Sequence, residues 1–252
     1  MSAFPYVLTG PIGSRSTLGM VVLQTDETIE HDFRRIFVDP DLALYISRIP
    51  SGDTLNPDSI ADMEIALPHA ASLLPPAATF DVVGYACTSG TTLIGADRVA
   101  ELVQSTVETR NVANPLTAAL SAMKALNVGS VGLVTPYIDV VAQQIRTAFE
   151  GAGFNVPSTV SFGEEVEARV ARIDPMSIAE AATEVARGPG VEAVFLSCTN
   201  LRTLDIIDDL EQKLGMPVVS SNQAMAWHMA QLADIPTPKN GPGRLFQTSI
   251  KG

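Results

Sequence analysis

Two cysteines, Cys87 and Cys198, are the only thiols of the 252-residue chain, and each follows a short apolar run. The segment 81–93 aligns with the segment 192–204 at a shift of 111 residues, with cysteine, the next threonine, the threonine five positions on and the leucine six positions on coinciding. At the same shift, residues 19–23 align with residues 130–134, so the turn 24–26 falls on the turn 135–137. Two matches in one register indicate a duplicated α/β unit.

Two opposed thiols can move a proton from one face of a carbon to the other. Inversion or protonation next to a carboxylate needs two acid/base groups on opposite sides of that carbon. A free cysteine has a pKa of about 8.5, and backbone N–H groups at a helix N-terminus lower it toward neutrality. Each cysteine precedes a short polar turn that leads into a helix, so we expect a lowered thiol pKa at both positions.

The turns after the cysteines carry candidate substrate-binding groups. Thr88 and Ser89 follow the first thiol, and Thr199 and Asn200 follow the second. Their hydroxyl, amide and N–H groups can hold a carboxylate and the enediolate formed from it. Taken singly, such residues are ordinary helix caps, and a lone cysteine after a strand is more often a packing residue. The shared register favours a two-thiol site, because packing alone gives no reason for it.

Short apolar, β-branched runs alternate with stretches of helical periodicity, and this pattern predicts βαβ units. The runs lack polar alternation, as strands covered on both faces do, so we predict mainly parallel sheets. The predicted strands are residues 18–23, 42–48, 81–86, 131–134, 156–162, 193–197 and 218–220. In such sheets both cysteines lie just past the carboxyl end of a strand, where open α/β sheets bind ligands. Two facing halves place one thiol on each side of a cleft.

Helix and loop signals fill the remaining segments. Thr25 or Asp26 can cap a helix that runs through Arg35, and Asp174 followed by Pro175 is a typical helix start. Further helices are predicted over residues 179–186, 204–214 and 223–232, and loops over residues 50–57 and 239–243. The predicted division is a first half, residues 1–114 plus 223–252, carrying one cysteine, and a second half, residues 115–222, carrying the other.

Composition narrows the functional class. Hydrophobic residues make up 46 % of the chain and charged residues 17 %, which is typical of a core-forming globular protein. The formal net charge of −12 disfavours a nucleic-acid binder, because phosphate neutralisation needs a cationic face. The N-terminal residues lack a basic stretch followed by an apolar one, and no apolar run reaches the roughly 20 residues that cross a bilayer. We therefore predict a cytoplasmic protein without a membrane partner.

Cysteine usage and apolar content carry two more expectations. Two cysteines without a Cys-x-x-Cys or His/Cys cluster predict neither a disulfide scaffold nor a metal site. We accordingly expect no metal and no cofactor, with a small carboxylic acid as the partner. The apolar composition is compatible with a homodimer, although the sequence defines no interface.

Five ordered segments are typical of a known family. They are Val134-Thr-Pro-Tyr137-Ile-Asp139, Gly163-Glu-Glu-Val-Glu-Ala-Arg-Val-Ala-Arg-Ile-Asp174, Leu196-Ser-Cys198-Thr-Asn-Leu-Arg-Thr-Leu-Asp205, Leu214-Gly-Met-Pro-Val-Val-Ser-Ser-Asn222 and Gly243-Arg-Leu-Phe246. Together they resemble the aspartate/glutamate racemase superfamily, in the branch of arylmalonate decarboxylase and maleate cis-trans isomerase. The resemblance spans most of the chain from about Leu18 onward. Some segments are also similar to racemase-like members associated with ectoine utilisation.

The resemblance implies a cofactor-independent enzyme with two pseudo-symmetric Rossmann-like halves, four-stranded sheets and an active site in the cleft between them. By resemblance, Thr88, Ser89 and Tyr137 match the decarboxylase's donors to a carboxylate and the enediolate, and the turn after Cys198 borders the second thiol. The decarboxylase keeps only the second cysteine and has glycine at the position of Cys87, whereas the isomerases and racemases keep both. Retention of Cys87 argues against a pure decarboxylase.

The first strand-to-helix turn departs from the maleate isomerases. They have asparagine where this chain reads Gln24-Thr25-Asp26. Thr25 and Asp26 are candidate substrate-binding residues, but the carboxylate of Asp26 repels a substrate carboxylate unless it points away or meets an amine. This disfavours maleate and favours an amino-acid-derived acid.

The leading hypothesis is an isomerase or racemase acting at the carbon next to a carboxylate of a small acid. Cys87 and Cys198 act from opposite faces, one as thiolate base or nucleophile and the other as thiol acid. One alternative is a decarboxylase of disubstituted malonates with Cys198 as its proton donor, and another is a maleate cis-trans isomerase. A non-catalytic protein that binds a small acid in the same cleft is the alternative from a different class.

Overall fold

Two four-stranded parallel sheets form the core of the chain, which the computed structural model describes over residues 3–54 and 57–248. The first sheet contains β1 (Ser16–Leu23), β2 (Leu42–Ile49), β3 (Phe80–Ala86) and β4 (Thr109–Ala113), in the order β2-β1-β3-β4. The second contains β5 (Val131–Thr135), β6 (Thr159–Ser161), β7 (Ala193–Leu196) and β8 (Val218–Ser220), in the order β6-β5-β7-β8. The matching strand orders confirm the predicted pair of pseudo-symmetric Rossmann-like halves.

Helices connect the strands and cover the sheets. They are α1 (Ile29–Ile36), α2 (Pro57–Ser72), α3 (Thr88–Ile94), α4 (Ala96–Gln104), α5 (Pro115–Ala125), α6 (Asp139–Gly151), α7 (Glu167–Val170), α8 (Pro175–Val185), α9 (Ile207–Leu214) and α10 (Ser221–Leu232). Short 3-10 turns lie at Leu204–Ile206 and Arg244–Gln247. Within the described part of the chain, no helix has the length and apolar character that crossing a membrane requires.

The apolar strands form where the sequence predicts them, and the differences have local causes. The strand predicted over residues 156–162 shortens to β6, because Pro157 has no N–H to donate to a sheet. Strand β4 is missing from the predictions because its first three residues, Thr109, Arg110 and Asn111, are polar, as an edge strand allows. Helices α2, α4, α5 and α6 lie in stretches for which no helix is predicted. Residues 55 and 56 of the predicted loop 50–57 lie outside the described residues.

Helix α1 begins a few residues later than predicted, while Asp26 still caps its start. The helix begins at Ile29, and Thr28 precedes it without a side-chain cap. Asp26 nevertheless accepts the amides of Thr28 and Ile29 through Oδ1, at 2.8 and 2.9 Å, so it satisfies two free N–H groups at the helix start. The cap predicted at Asp174 is confirmed, since its side chain accepts from the amide of Met176.

The sheet registers correct the alignment of the two halves. Gly19 pairs with Val83 in the first sheet, and Gly132 pairs with Val194 in the second. The cysteine strands are therefore equivalent at the predicted shift of 111 residues, whereas the first strands are equivalent at a shift of 113. The expected match of residues 19–23 with residues 130–134 is thus wrong by two positions, one full repeat of strand geometry. Tyr137 is equivalent to Gln24 rather than to Asp26.

Helix α10 connects the two sheets. It follows β8 of the second sheet but packs against β3 and β4 of the first sheet and against α5. Its first residues are completely buried, and Trp227 in its middle donates its indole N–H to the carbonyl oxygen of Thr248. The boundaries 1–114 plus 223–252 and 115–222 remain a prediction.

The start of α10 offers a test of this packing. Ser220 accepts the amide of Gln223, whose side chain accepts the amide of Ser220 in return, so the two residues form a capping box. We expect Ser220→Ala to lower the free energy of unfolding by about 1–2 kcal/mol. The buried amide of Gln223 loses its acceptor, and the hydrogen bond from the amide of residue 220 to the Gln223 side chain is weakened. Urea unfolding measures the change. Ser72→Ala, at an exposed serine whose hydroxyl donates to the carbonyl of His69, is the control and should change stability by less than about 0.5 kcal/mol. Equal effects of the two variants would contradict the assignment.

Candidate active site

Cys87 is the residue between β3 and α3, and it caps α3 with its sulfur. Its Sγ accepts the amide of Gly90 at 3.2 Å and lies 3.6 Å from the hydroxyl of Ser89. A side chain at position 90 does not fit, because a Cβ there would lie 2.5 Å from the Tyr85 hydroxyl and 2.9 Å from Cys87 Sγ. The sulfur is therefore enclosed by one amide and two hydroxyl groups, and the residue is only 2 % exposed.

Cys198 follows β7 in the equivalent place but with a different backbone. Its φ of 138° lies in the region that favours glycine, whereas the φ of Cys87 is −146°. The amide of Cys198 donates to Ser221 Oγ at 3.0 Å, and its Sγ accepts the amide of Asn200 at 3.4 Å. Backbone strain of this kind, here at Cys198, is found mostly at functional sites.

Direct hydrogen bonds join the two cysteine turns. Ser221 Oγ, which accepts the amide of Cys198, also lies 3.0 Å from Thr88 Oγ1. The hydroxyl of Thr199 donates to the carbonyl oxygen of Ala86, next to Cys87, at 3.3 Å. The carboxyl ends of β3 and β7 therefore meet, and the structure brings together both thiols and the polar residues that follow them.

Tyr137 follows β5, hydrogen-bonds Cys198 and lies within electrostatic reach of Cys87. Burial raises the pKa of its phenol well above the ordinary value, and negative charge on Cys198, Glu167 or Cys87 raises it further. The phenol therefore stays protonated and serves as a hydrogen-bond donor beside Cys198. The backbone carbonyl of Tyr137 accepts the hydroxyl of Ser161, which fixes the turn that carries the ring.

The first strand-to-helix turn reaches the site through Asn200. The side-chain amide of Asn200 donates to the carbonyl oxygens of Thr25 and Glu167, and its Oδ1 accepts the amide of Glu27. These contacts use both amide protons, so the side chain holds the two halves together rather than presenting a free donor. A role of Asn200 and Thr25 in binding a carboxylate remains a prediction. Asp26 is buried beside Thr199.

Glu167 belongs to the site although no sequence signal singles it out. It is 2 % exposed, and its Oε1 accepts the thiol of Cys198 at a donor–acceptor distance of 3.9 Å. Its amide donates to the carbonyl of Asp53, so a loop of the first half lies against its backbone. Burial raises the pKa of Glu167 to about 7, and the charge of Asp26 adds to the rise. It lies in one of the family-like segments, but the neighbouring Glu164 and Glu165 make that segment look like a solvated face.

Asn222 is a second residue that the sequence reasoning misses. Its side-chain amide donates to Asp32 Oδ2 at 2.9 Å and to the carbonyl of Thr199 at 2.8 Å. It thereby ties the turn after the second thiol to helix α1. Burial raises the pKa of Asp32 to about 6 in spite of the hydrogen bond from Asn222. Asn222 follows Ser221 in the segment 214–222, one of the five segments that resemble the known family. That resemblance is the signal that could have identified both residues.

The expectation of lowered thiol pKa values is wrong for this structure. Burial raises the pKa of Cys87 to about 11, and it raises the pKa of Cys198 well above the ordinary value. Hydrogen bonds from Ser89 and Gly90 to the first sulfur, and from Tyr137 and Asn200 to the second, oppose the rise without cancelling it. Loss of hydration outweighs the N–H groups, so both sulfurs are thiols at neutral pH before a ligand enters.

No group of three or more His, Cys, Asp or Glu side chains that could hold a metal ion occurs among residues 3–54 and 57–248.

The sequence profile described as Amdase, arylmalonate decarboxylase, matches residues 64–246. The arylmalonate decarboxylase of Bordetella bronchiseptica is 32 % identical over 241 residues, which cover 94 % of this chain and 98 % of that protein. The chain belongs to the arylmalonate decarboxylase family.

The relatives of this family member include isomerases. The maleate isomerase of Nocardia farcinica is 23 % identical over 91 % of this chain and 95 % of that protein. A mutant of the same enzyme, solved with a covalently bound succinylcysteine intermediate, has a TM-score of 0.80 at 22 % identity and covers 93 % of this chain and 99 % of that one. A liganded double mutant of arylmalonate decarboxylase has a TM-score of 0.82 at 27 % identity, over 92 % of this chain and 98 % of that chain. These findings confirm the expected family branch and fold, and in the maleate isomerase mutant the intermediate is bound to a cysteine.

The backbone at the two cysteines gives a matched stability test. At position 198, glycine removes the strain of a positive φ, so we expect Cys198→Gly to be more stable than Cys198→Ala by about 1 kcal/mol. At position 87 the extended backbone gives glycine no such advantage, and Cys87→Ala should be more stable than Cys87→Gly by about 0.5–1 kcal/mol. Urea unfolding of the four variants measures both differences. The same order at both positions would contradict the assigned strain.

Burial of Glu167 predicts a pH-dependent cost. The unfolded carboxyl group releases its proton near pH 4.5 and the folded one near pH 7, so folding stability falls as the pH rises between these values. At pH 8 the cost is about 3 kcal/mol, at 1.36 kcal/mol per pKa unit. We therefore expect Glu167→Gln to match the parent protein at pH 5 and to exceed its stability at pH 8, as measured by urea unfolding. Glu165→Gln, at an exposed position in the same segment, is the control. An equal pH dependence for parent and Glu167→Gln would refute the prediction.

Proposed function

We propose that the protein is a cofactor-independent isomerase or racemase that acts at the carbon next to a carboxylate of a small acid, with Cys87 and Cys198 as its two acid/base groups. The observation that carries the proposal is the meeting of both thiols at equivalent strand ends, joined through Ser221 and Thr88. A reaction that uses one proton donor needs one cysteine. This chain keeps two, and each has its own set of hydrogen-bonding neighbours.

The reaction moves one proton across one carbon. One sulfur, as thiolate, takes the proton from that carbon, and the electron pair of the C–H bond moves into the carboxyl group to form an enediolate. The thiol on the opposite face then gives its proton to the same carbon, and the carboxylate forms again. After one turnover the two sulfurs have exchanged their protonation states, and no electron has been transferred.

Glu167 supplies the starting thiolate. Burial keeps both sulfurs protonated at rest, so one of them must lose its proton before it can act as a base. The thiol of Cys198 points at Glu167 Oε1, a carboxyl group whose pKa of about 7 suits proton exchange near neutrality. Cys87 has instead an amide and hydroxyl groups around its sulfur, which suits the thiol that delivers the proton first.

The buried donors stabilise the enediolate. The phenol of Tyr137 stays protonated beside the sulfurs, and the hydroxyls of Thr88 and Ser89 lie at the start of α3. Donors held in place in a water-poor site stabilise developing negative charge more strongly than donors in water do. The site can thus hold an anion although the chain carries a net charge of −12.

A second candidate function is an arylmalonate-type decarboxylase. The observation in its favour is the 32 % identity to the decarboxylase of Bordetella bronchiseptica. In that reaction carbon dioxide leaves the substrate, and Cys198 alone protonates the resulting enediolate. A maleate isomerase, which would use one sulfur as nucleophile rather than base, is a further variant supported by the isomerase relatives.

Proton NMR in deuterated buffer separates these functions. With a panel of aspartate, glutamate, maleate and phenylmalonate, we expect loss of the signal of the proton next to the carboxylate. Cys87→Ala and Cys198→Ala should each reduce inversion by about 10²–10⁴-fold, the usual contribution of an acid/base group. Cys87→Ala should still exchange the proton of one enantiomer, because Glu167 can take the proton of the remaining thiol. Cys198→Ala leaves the Cys87 thiol among an amide and hydroxyl groups and should not exchange the proton.

Three outcomes would change the conclusion. Full inversion by either alanine variant with an unchanged melting temperature would refute the two-thiol mechanism. Conversion of phenylmalonate to phenylacetate that survives Cys87→Ala would identify the decarboxylase, and appearance of fumarate from maleate would identify the cis-trans isomerase. Saturable thermal stabilisation by a panel acid without any turnover would identify a binding protein.

A further inference from the structure

Two buried carboxyl groups, Asp26 and Glu167, lie within electrostatic reach of Cys198, and neither forms an ion pair with a described residue. Each residue is 2 % exposed. Across residues 3–54 and 57–248, neither carboxyl group takes part in an ion pair. The charge of Arg48 lowers the pKa of Asp26, but its guanidinium donates to the backbone carbonyl of Asp26 and pairs with Glu30 instead of with the Asp26 carboxyl group. Burying two acidic groups side by side is unfavourable unless a positive charge joins them.

Asp26 keeps one carboxyl oxygen free. Its Oδ1 accepts the amides of Thr28 and Ile29, but its Oδ2 is buried and accepts no hydrogen bond from the described residues. The side chain of Thr199 lies close enough to lower the pKa of this carboxyl group, while its hydroxyl donates to the carbonyl of Ala86 at 3.3 Å. An unsatisfied carboxylate oxygen in a buried site costs free energy. A ligand that brings a donor removes that cost.

The carboxyl group of Asp26 lies close to the turn that carries the second thiol. The charge of Asp26 raises the pKa of both Glu167 and Cys198, which places its carboxyl group within electrostatic reach of the second thiol. Asn200 fixes this arrangement, because its side-chain amide bonds the carbonyl of Thr25 on one side and the carbonyl of Glu167 on the other. One carboxyl group comes from each half of the fold, and the charge of each raises the pKa of the same thiol.

We propose that Asp26 and Glu167 form a binding site for a protonated nitrogen of the substrate, so that the substrate is a small carboxylic acid carrying an ammonium group close to the reacting carbon. This inference rests on the proposed function, because only an enzyme has a substrate to bind at this site. An ammonium group supplies the donor that Oδ2 lacks and an ion-pair partner for the two carboxyl groups. A nitrogen-free dicarboxylate such as maleate would instead bring negative charge against two acidic groups.

Binding to a form that cannot turn over tests the site directly. The Cys87→Ser/Cys198→Ser variant is titrated calorimetrically at pH 7.5 with three matched pairs of acids: aspartate and succinate, glutamate and glutarate, alanine and propionate. We expect at least one amino acid to bind about 10- to 100-fold more tightly than its nitrogen-free partner, the usual range for a hydrogen bond to a charged group.

Asp26→Asn, introduced into the same background, removes the charge and keeps the Oδ1 that caps α1, since asparagine caps helices as well as aspartate does. We expect the ratio within the preferred pair to fall to about 1. Asp174→Asn makes the same chemical change at the exposed cap of α8 and should leave the ratio unchanged. Melting curves of the three proteins check that each is folded.

Two results would overturn the site: no amino acid binds more tightly than its partner, or Asp26→Asn leaves the preference intact. Failure of the proposed function looks different. If amino acids bind preferentially and Asp26→Asn abolishes the preference, while the protein with both cysteines shows no solvent exchange at the carbon next to the carboxylate, the ammonium site holds and the two-thiol chemistry is wrong.

Discussion

The hydroxyl of Ser221 is the contact on which the arrangement of the two thiols depends. It accepts the amide of Cys198 and lies in hydrogen-bond contact with Thr88, so one side chain joins the turn after β7 to the turn after β3. Ser221 itself begins α10, the helix that leaves the second sheet and packs on the first. A helix that belongs to both halves therefore fixes the relative position of the cysteines. This explains how a pseudo-symmetric fold can hold a site between its halves with hydrogen-bond accuracy.

Burial has two opposite consequences at this site. It keeps the sulfurs protonated, since the loss of hydration outweighs the N–H and hydroxyl groups around them. The same loss of hydration strengthens each hydrogen bond that reaches a bound anion, because the local dielectric constant is low. The structure is thus poor at forming a free thiolate and well suited to stabilising charge on a ligand. A carboxyl group next to one thiol, such as Glu167 beside Cys198, resolves this conflict, because the proton moves within the site and no net charge is created.

The fold could be predicted from the sequence because its central strands are apolar throughout. Strands β1, β3, β5 and β7 are buried over nearly all of their residues and carry the β-branched runs that make parallel strands recognisable. The positions of Cys87 and Cys198 followed from those strands. The site was predicted less completely, since Glu167 stands in an acidic segment and becomes buried only when the chain folds and a loop of the other half lies against its backbone. Long-range burial of this kind leaves no local signal. The thiol pKa values were missed for the same reason, because helix starts are visible in a sequence and the depth of burial is not.

The two halves are symmetric in strand order and asymmetric in chemistry, and this asymmetry is constrained by thermodynamics. The sulfur of Cys87 is surrounded by an amide and hydroxyls, whereas the sulfur of Cys198 faces a carboxyl group. In a racemase the two enantiomers have equal free energy, so kcat/KM must be the same in both directions however different the two sides are. The asymmetry can therefore change kcat and KM only by the same factor for a given enantiomer. It does so through the protonation state of the free enzyme. An acidic neighbour on one side favours one resting state, and the enantiomer that this state accepts binds without a prior proton shift. The chemical difference between the halves thus determines which enantiomer binds to the resting protonation state of the enzyme. The equilibrium between the two enantiomers stays unaffected.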